Sequence, residues 1–309
     1  KTMSEQARRL KTELQAVRAE GAAQQSWINR TADWFNRMQT IALGAVAAIT
    51  GITMTVHKCI DEYAQMDDEM TNVRKYTGQT ADEVERMNED FKKMDTRTPR
   101  QKLNQLAEDA GRLGITSTAA IEEFVDGADK INVALGDDLG DEAVSQIGKL
   151  AQMFGEDKSK GLRGAMLATG SAVNELAQSS SAGAGYLVDF TARVAGVGKQ
   201  AGMTQAQIMG LASVLDQNMQ QDETAATAVQ QLITKMFQDT SKFAQLAGID
   251  TKKFAETLKT DANKALLQFL SAMKSKGGFS ELAPMFEQMQ LNGSRATGVL
   301  TVLADKLDD

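Results

Sequence analysis

One cysteine, one histidine, two prolines and two tryptophans are all that 309 residues hold of those four types. The lone Cys59 excludes an internal disulfide framework. A Cys–His nucleophilic pair would have to be His57–Cys59, and residues two apart on a helix face away from each other. Zinc would need several carboxylates beside that one pair. There is no Gly-x-x-x-x-Gly-Lys-Ser/Thr loop, and Gly183-Ala184-Gly185 lacks the preceding strand of a dinucleotide site. Asp137-Asp138 with Asp141-Glu142 does not have the spacing of a calcium loop. Aromatics are 5% of the chain, and beyond residue 60 there is no Trp and only Tyr63, Tyr76 and Tyr186, which removes the platform of a sugar groove. Carboxylate pairs are always available among 41 acidic residues. No catalytic, cofactor-binding or metal site follows, and the expectation is a protein that is not an enzyme and carries no cofactor.

What the chain has instead is helix-forming material. Ala, Gln, Met, Leu, Lys and Glu abound where proline is nearly missing, so the reading is all-α. Sixteen methionines, Met203, Met209, Met219, Met236, Met273, Met285 and Met289 among them, suggest adaptable helix packing. Net charge is −7, unevenly placed: residues 1–60 carry eight Lys/Arg against four Asp/Glu, the remainder 26 against 37. An acidic body offers no nucleic-acid face. No secretory signal is read, and a start at Lys1 reads as a piece of a longer chain.

Three segments are expected. Residues 1–37 form a basic helical arm, with Ala7, Leu10, Leu14 and Val17 in a narrow stripe suited to a partner helix. Trp27 and Trp34, seven apart, share a helix face and serve as interface anchors, either at a membrane boundary or between helices. Residues 38–59 form a Gly/Ala-rich hydrophobic helix. Its uncharged run, Met38 to Val56, is nineteen residues long. About 20 apolar residues cross a bilayer, so the run is a borderline transmembrane helix. Gly44, Ala48, Gly51 and Thr55 line it with small residues, a stripe for close helix–helix or membrane contact.

Residues 60–309 read as a compact body of short helical hairpins. A junction recurs: Gly114-Ile115-Thr116 leading to Ala120, Gly202-Met203-Thr204 to Ile208, Gly248-Ile249-Asp250 to Phe254, and Gly78-Gln79-Thr80 to Val84. Glycine ends one helix in the left-handed conformation, Thr or Asp caps the next, and the residue between staples onto the fourth helical position. Thr98 with Pro99 reads as a further helix start. Ser179 to Gly185 reads as a flexible joint, and Gly161 and Gly164 as loosening one helix start.

The order of phrases in the body resembles the core region of phage tail tape measure proteins. Arg112-Leu113-Gly114-Ile115-Thr116 leads to Ala119-Ala120-Ile121-Glu122-Glu123-Phe124; Ile147-Gly148-Lys149-Leu150-Ala151-Gln152-Met153-Phe154-Gly155 follows. Ala172-Val173-Asn174-Glu175-Leu176-Ala177, Phe190 to Gly198, Ala201 to Ile208, Leu211 to Asp216 and Leu246 to Asp250 come next in the family's order. Where many relatives have a glycine-rich phrase, this chain has Asn218-Met219-Gln220-Gln221-Asp222-Glu223-Thr224.

The resemblance implies a structural virion component that sets tail length in assembly and is ejected to help the genome cross the host envelope. It implies a place inside the tail tube or tail tip, then the host cell envelope after ejection. Implied partners are further copies of itself (a trimer, by family analogy), the tail tube, the tail tip or baseplate hub, tail assembly chaperones and, on ejection, the host membrane. No sequence-specific nucleic-acid binding is implied. The alternative reading of the same residues is a membrane-active, pore-forming helical protein.

Overall fold

The computed structural model describes residues 50–140, 142–291 and 293–307, and among them are fourteen α-helices and no strand. The all-α expectation holds. The chain divides between Met94 and Asp95 into two compact units.

In the first unit, α1 (Thr50–Thr77) packs on α2 (Ala81–Phe91). From Thr50, the first described residue, the helix runs unbroken to Thr77, so residues on both sides of the boundary read at 59/60 lie on one helix. Gly78 (φ +71°) ends it. Thr80 then caps α2, its hydroxyl accepting the Glu83 N–H while the Glu83 carboxylate accepts the Thr80 N–H at 2.8 Å. Val84, Met87 and Phe91, at helical spacing, are the buried face of α2.

The second unit holds α3 (Arg100–Arg112), α4 (Thr118–Leu135), a 3-10 turn (Gly136–Leu139), α5 (Ala143–Phe154), α6 (Glu156–Ser179), α7 (Ala184–Gln200) and α8 (Gln205–Gln217). It continues through α9 (Asp222–Gln238), α10 (Thr240–Ala247), α11 (Thr251–Thr260), α12 (Ala262–Lys274), α13 (Phe279–Gln288) and α14 (Ser294–Asp305). Packing follows the chain: α3 on α4, α4 on α6, α5 on α6 and α7, α7 on α8 and α9, α9 on α14, and α14 on α12 and α13. Helices α10, α11 and α12 pack on one another as a triangle.

The scarce aromatics are concentrated in this core. Phe124, Phe190, Phe243, Phe254, Phe269 and Phe286 are fully buried, one each in α4, α7, α10, α11, α12 and α13. Burying such a ring is worth about 1.5–3 kcal/mol. Phe243 and Phe269 tie α10 to α12 with ring centroids 5.1 Å apart. Met203, Met209, Met236, Met273 and Met289 fill space between them, as read; Met219 does not, being 92% exposed.

At three helix crossings the contact is a glycine. A β-carbon at Gly148 would lie 2.7 Å from the Phe124 ring, one at Gly170 2.7 Å from Ile131, and one at Gly198 2.5 Å from the Ile208 side-chain tip. These positions let α5 and α6 approach α4, and α8 approach α7.

The Gly-x-Thr/Asp junctions fold as expected at Gly202 and Gly248. The Met203 N–H donates to the Gly198 carbonyl (2.9 Å) and the Ile249 N–H to the Ala244 carbonyl (2.8 Å), closing the preceding helices. Thr204 and Asp250 cap α8 and α11. At Gly114 the cap moves one place: Ser117, not Thr116, accepts the Ala120 N–H, and Ile121 rather than Ala120 is the buried fourth residue. At α3 the N-cap is Pro99 itself, and Thr98 is not the cap. The Thr96 hydroxyl instead accepts the Thr98 N–H and donates to buried Asp129.

Two further readings are corrected. The Ser179–Gly185 joint is tied down, not loose. The Ser180 hydroxyl bonds the Leu176 carbonyl and Ser213, and the Gly183 N–H donates to the Asp216 carboxylate at 2.7 Å. Small residues are there because Gly185 lies under the turn before α5: a β-carbon on it would meet the Asp138 carbonyl oxygen at 3.3 Å. Gly161 (φ +71°, ψ 158°) does more than loosen a start; it kinks α6.

Candidate functional site

The expected contact residues fall largely outside the described residues. Trp27, Trp34, Gly44 and Ala48 are among these; Gly51 and Thr55 lie in the first turns of α1. Met38 to Ile49 likewise lies outside, and among the described residues no helix is long and apolar enough to cross a membrane. His57 and Cys59 both sit on α1. Among the described residues no three His, Cys, Asp or Glu are grouped to hold a metal.

The most unusual titratable group in the body is Tyr186 on α7. Burial, then the nearby Asp216 and Asp222 carboxylates, push its phenol well above the usual value, so it stays protonated. Its hydroxyl has no hydrogen-bond partner among the described residues, and its ring stacks on Phe190 with centroids 6.2 Å apart. That is a packing role. A phenol held neutral, with no base hydrogen-bonded to it among the described residues, is no nucleophile.

What the fold does build is surface for contact. A cavity of about 250 Å³ opens between α8, α12 and α14, walled by Leu211, Val214, Leu267, Leu270, Leu303 and Leu307. Gln207, Asn263 and Lys306 supply its only polar lining. Leu267 on this wall is 39% exposed. An apolar slot of this kind takes aliphatic side chains.

A second surface lies on the α10–α12 triangle, and the sequence carried a signal for it that went unread. Asp239-Thr240-Ser241-Lys242-Phe243-Ala244 recurs eleven residues on as Asp250-Thr251-Lys252-Lys253-Phe254-Ala255, and again as Asp261-Ala262-Asn263-Lys264-Ala265-Leu266. Each Asp is an N-cap whose carboxylate accepts the N–H three residues on: Lys242 at 3.3 Å, Lys253 at 2.8 Å and Lys264 at 2.9 Å. The fourth helical residues, Phe243, Phe254 and Ala265, point into the core. The repeat is a staircase of short helices, each turn presenting a lysine outward.

With this architecture on the page, the comparison with known proteins is direct. The family model for phage-related minor tail proteins matches residues 81–281. The chain belongs to this family. No curated protein and no solved structure matches it. The match begins at α2 and ends in α13, so it takes in most of this minor tail protein's helical body and both surfaces' principal helices, α8, α10, α11 and α12. The expectation of a phage tail structural protein is met at that level.

Proposed function

We propose that this minor tail protein is the tape measure of its tail: it sets tail length during assembly and leaves through the tip on infection, helping the genome across the host envelope. The observation that carries the reading is the family match over residues 81–281 on a chain that is helical throughout its described length. The ordered phrases from Arg112 to Asp250 support the finer assignment by resemblance. A helix advances about 1.5 Å per residue, so the 28 residues of α1 amount to about 42 Å of ruler. The folded body adds little length in its compact form and acts as a module at one end of the ruler. Its partners in this role are further copies of the chain, the tail tube, the tip or hub and the assembly chaperones.

In-frame deletion and duplication of Asp61–Arg74 in the virus tests the ruler. Fourteen residues of helix correspond to about 21 Å, so averaged electron micrographs should show tails shortened and lengthened by that amount per copy of the segment. Tails that assemble at unchanged length in both variants would sink the length-setting role and leave only membership of the tail.

A further inference from the structure

We infer that the α10–α12 triangle is a docking surface for a second copy of this chain, gripping the acidic α3–α5 end of the neighbour in head-to-tail fashion. The length-setting role is not needed for the argument.

The first observation is a lysine set at the same first-turn position of three successive helices. The first turn of a helix carries the positive end of its dipole, so cations there are disfavoured and carboxylates favoured. At the third helical residue α2 has Glu83 and α8 has Gln207, each completing a reciprocal cap; α3 and α6 have Lys102 and Lys158 there, and what sets α10–α12 apart is that three successive helices do so. In α10, α11 and α12 that position is Lys242, Lys253 and Lys264. The N-cap aspartates answer the helix dipole but do not pair with the lysine side chains. The aspartates that could pair with these lysines accept backbone N–H groups instead, and among the described residues no carboxylate lies within ion-pair distance of the three ammonium groups.

Tertiary structure then adds to the patch. Lys276, beyond the end of α12, is brought back to the α10–α11 turn, its Nζ 3.7 Å from where a β-carbon on Gly248 would stand. Lys252 and Lys253 open α11 at that same turn. Lys252, Lys253, Lys259, Lys264 and Lys276 are all exposed. Residues 235–276 hold eight lysines against four carboxylates, a local +4 in a chain of −7.

Charge complementarity selects the occupant. Residues 95–157 hold six Lys/Arg against thirteen Asp/Glu, a local −7. Exposed Glu123 on α4, and Asp138 and Glu142 around the 3-10 turn, face solvent there without an ion pair. Within the unit the two regions have different packing partners: α3–α5 settle on α6 and α7, whereas α10–α12 settle on α9 and α14. A basic patch and an acidic patch that are different surfaces of one molecule make a heterologous contact, which closes into a ring or continues as a filament. Nucleic acid is the lesser candidate, because the chain as a whole is acidic.

The test is sedimentation velocity on the full chain at about 0.05 M and about 1 M NaCl, the latter shrinking the screening length to about 3 Å. The wild type should exceed monomer mass at low salt and return to monomer at high salt. K252E/K253E/K276E should stay monomeric at both, as should E123K/D138K/E142K, and mixing the two variants should restore association at low salt. Unchanged helicity and melting temperature show that both variants are folded. A wild type that is monomeric at low salt, a mass independent of salt, or a lysine variant that associates like wild type overturns the inference. So does lysine-dependent binding of a DNA duplex by a chain that stays monomeric, which would assign the patch to nucleic acid.

Discussion

Gly196 and Gly198 stand two residues apart on α7, and the same substitution at each should act in opposite directions. Both sit inside one helix, so replacing either by alanine removes the same backbone penalty, worth about 1 kcal/mol in favour of the folded state. Their surroundings differ. Gly196 faces solvent, and nothing lies within 4 Å of a β-carbon there. Gly198 is buried, and a β-carbon would stand 2.5 Å from Ile208 Cδ1 and 3.2 Å from Cγ1. Ile208 is fully buried. Inserting a methyl group into a packed contact costs about 1–3 kcal/mol. Gly196→Ala should therefore stabilise by about 1 kcal/mol, while Gly198→Ala should destabilise by up to about 2 kcal/mol. Trimming the obstructing atom identifies the cause. Ile208→Val alone costs about 0.5–1.5 kcal/mol, yet in the Gly198→Ala background it should cost less or even restore stability. Urea unfolding followed by helix circular dichroism, with the four proteins compared as a double-mutant cycle, measures the coupling. Equal and additive shifts for both alanines would refute the claim that Gly198 is the contact point between α7 and α8.

Three other outcomes are expected. Met219 holds φ +56° where the Gln220 N–H closes α8 onto the Leu215 carbonyl, and its side chain is 92% exposed, so Met219→Gly should raise stability by about 1 kcal/mol in the same urea assay. Asp216→Ala should cost about 1 kcal/mol by freeing the Gly183 N–H at the start of α7, and should speed amide exchange at Gly183. Burial, and secondarily Glu108, raise the Asp109 carboxyl above its usual range. A carboxyl with a raised folded pKa binds its proton more tightly in the native state, so stability falls as pH rises from the unfolded value through the folded one and stays reduced above it. Asp109→Asn should flatten that part of the pH–stability curve, leaving its acid limb in place. That limb is set in part by Asp126. Burial pushes its pKa upward, but the bonds from Lys130 and Arg163 outweigh that and hold it below the usual range, so its contribution is lost as pH drops through the folded value.

The helices were legible because their signals are local. Capping bonds span three residues and Schellman bonds five, so Gly202-Met203-Thr204 and Gly248-Ile249-Asp250 announce themselves in the chain. The family phrase order also lies in the linear sequence, and the match over residues 81–281 bears it out as a phage tail protein. Proximity in the chain also hid things. The Asp-x-x-Lys repeat is plain in the sequence, but a lysine at the third helical position reads as an ordinary solvated charge until the caps are seen to use up the aspartates.

Contacts between residues far apart in the chain belonged to the tertiary structure alone. Ser179 to Gly185 looked like a hinge because its composition is small and polar. The carboxylate that fixes it, Asp216, is 33 residues away, and composition does not report distant partners. Nothing local marks Gly148, Gly170 and Gly198; only the crossing of α4, α5, α6, α7 and α8 shows that each is where a neighbouring side chain presses in. Lys276 joins Lys252 and Lys253 only because α12 returns its end to the α10–α11 turn. Periodicity and capping chemistry settle where helices begin and end. Which faces then meet depends on how whole helices share a core, and no window of a dozen residues contains that information.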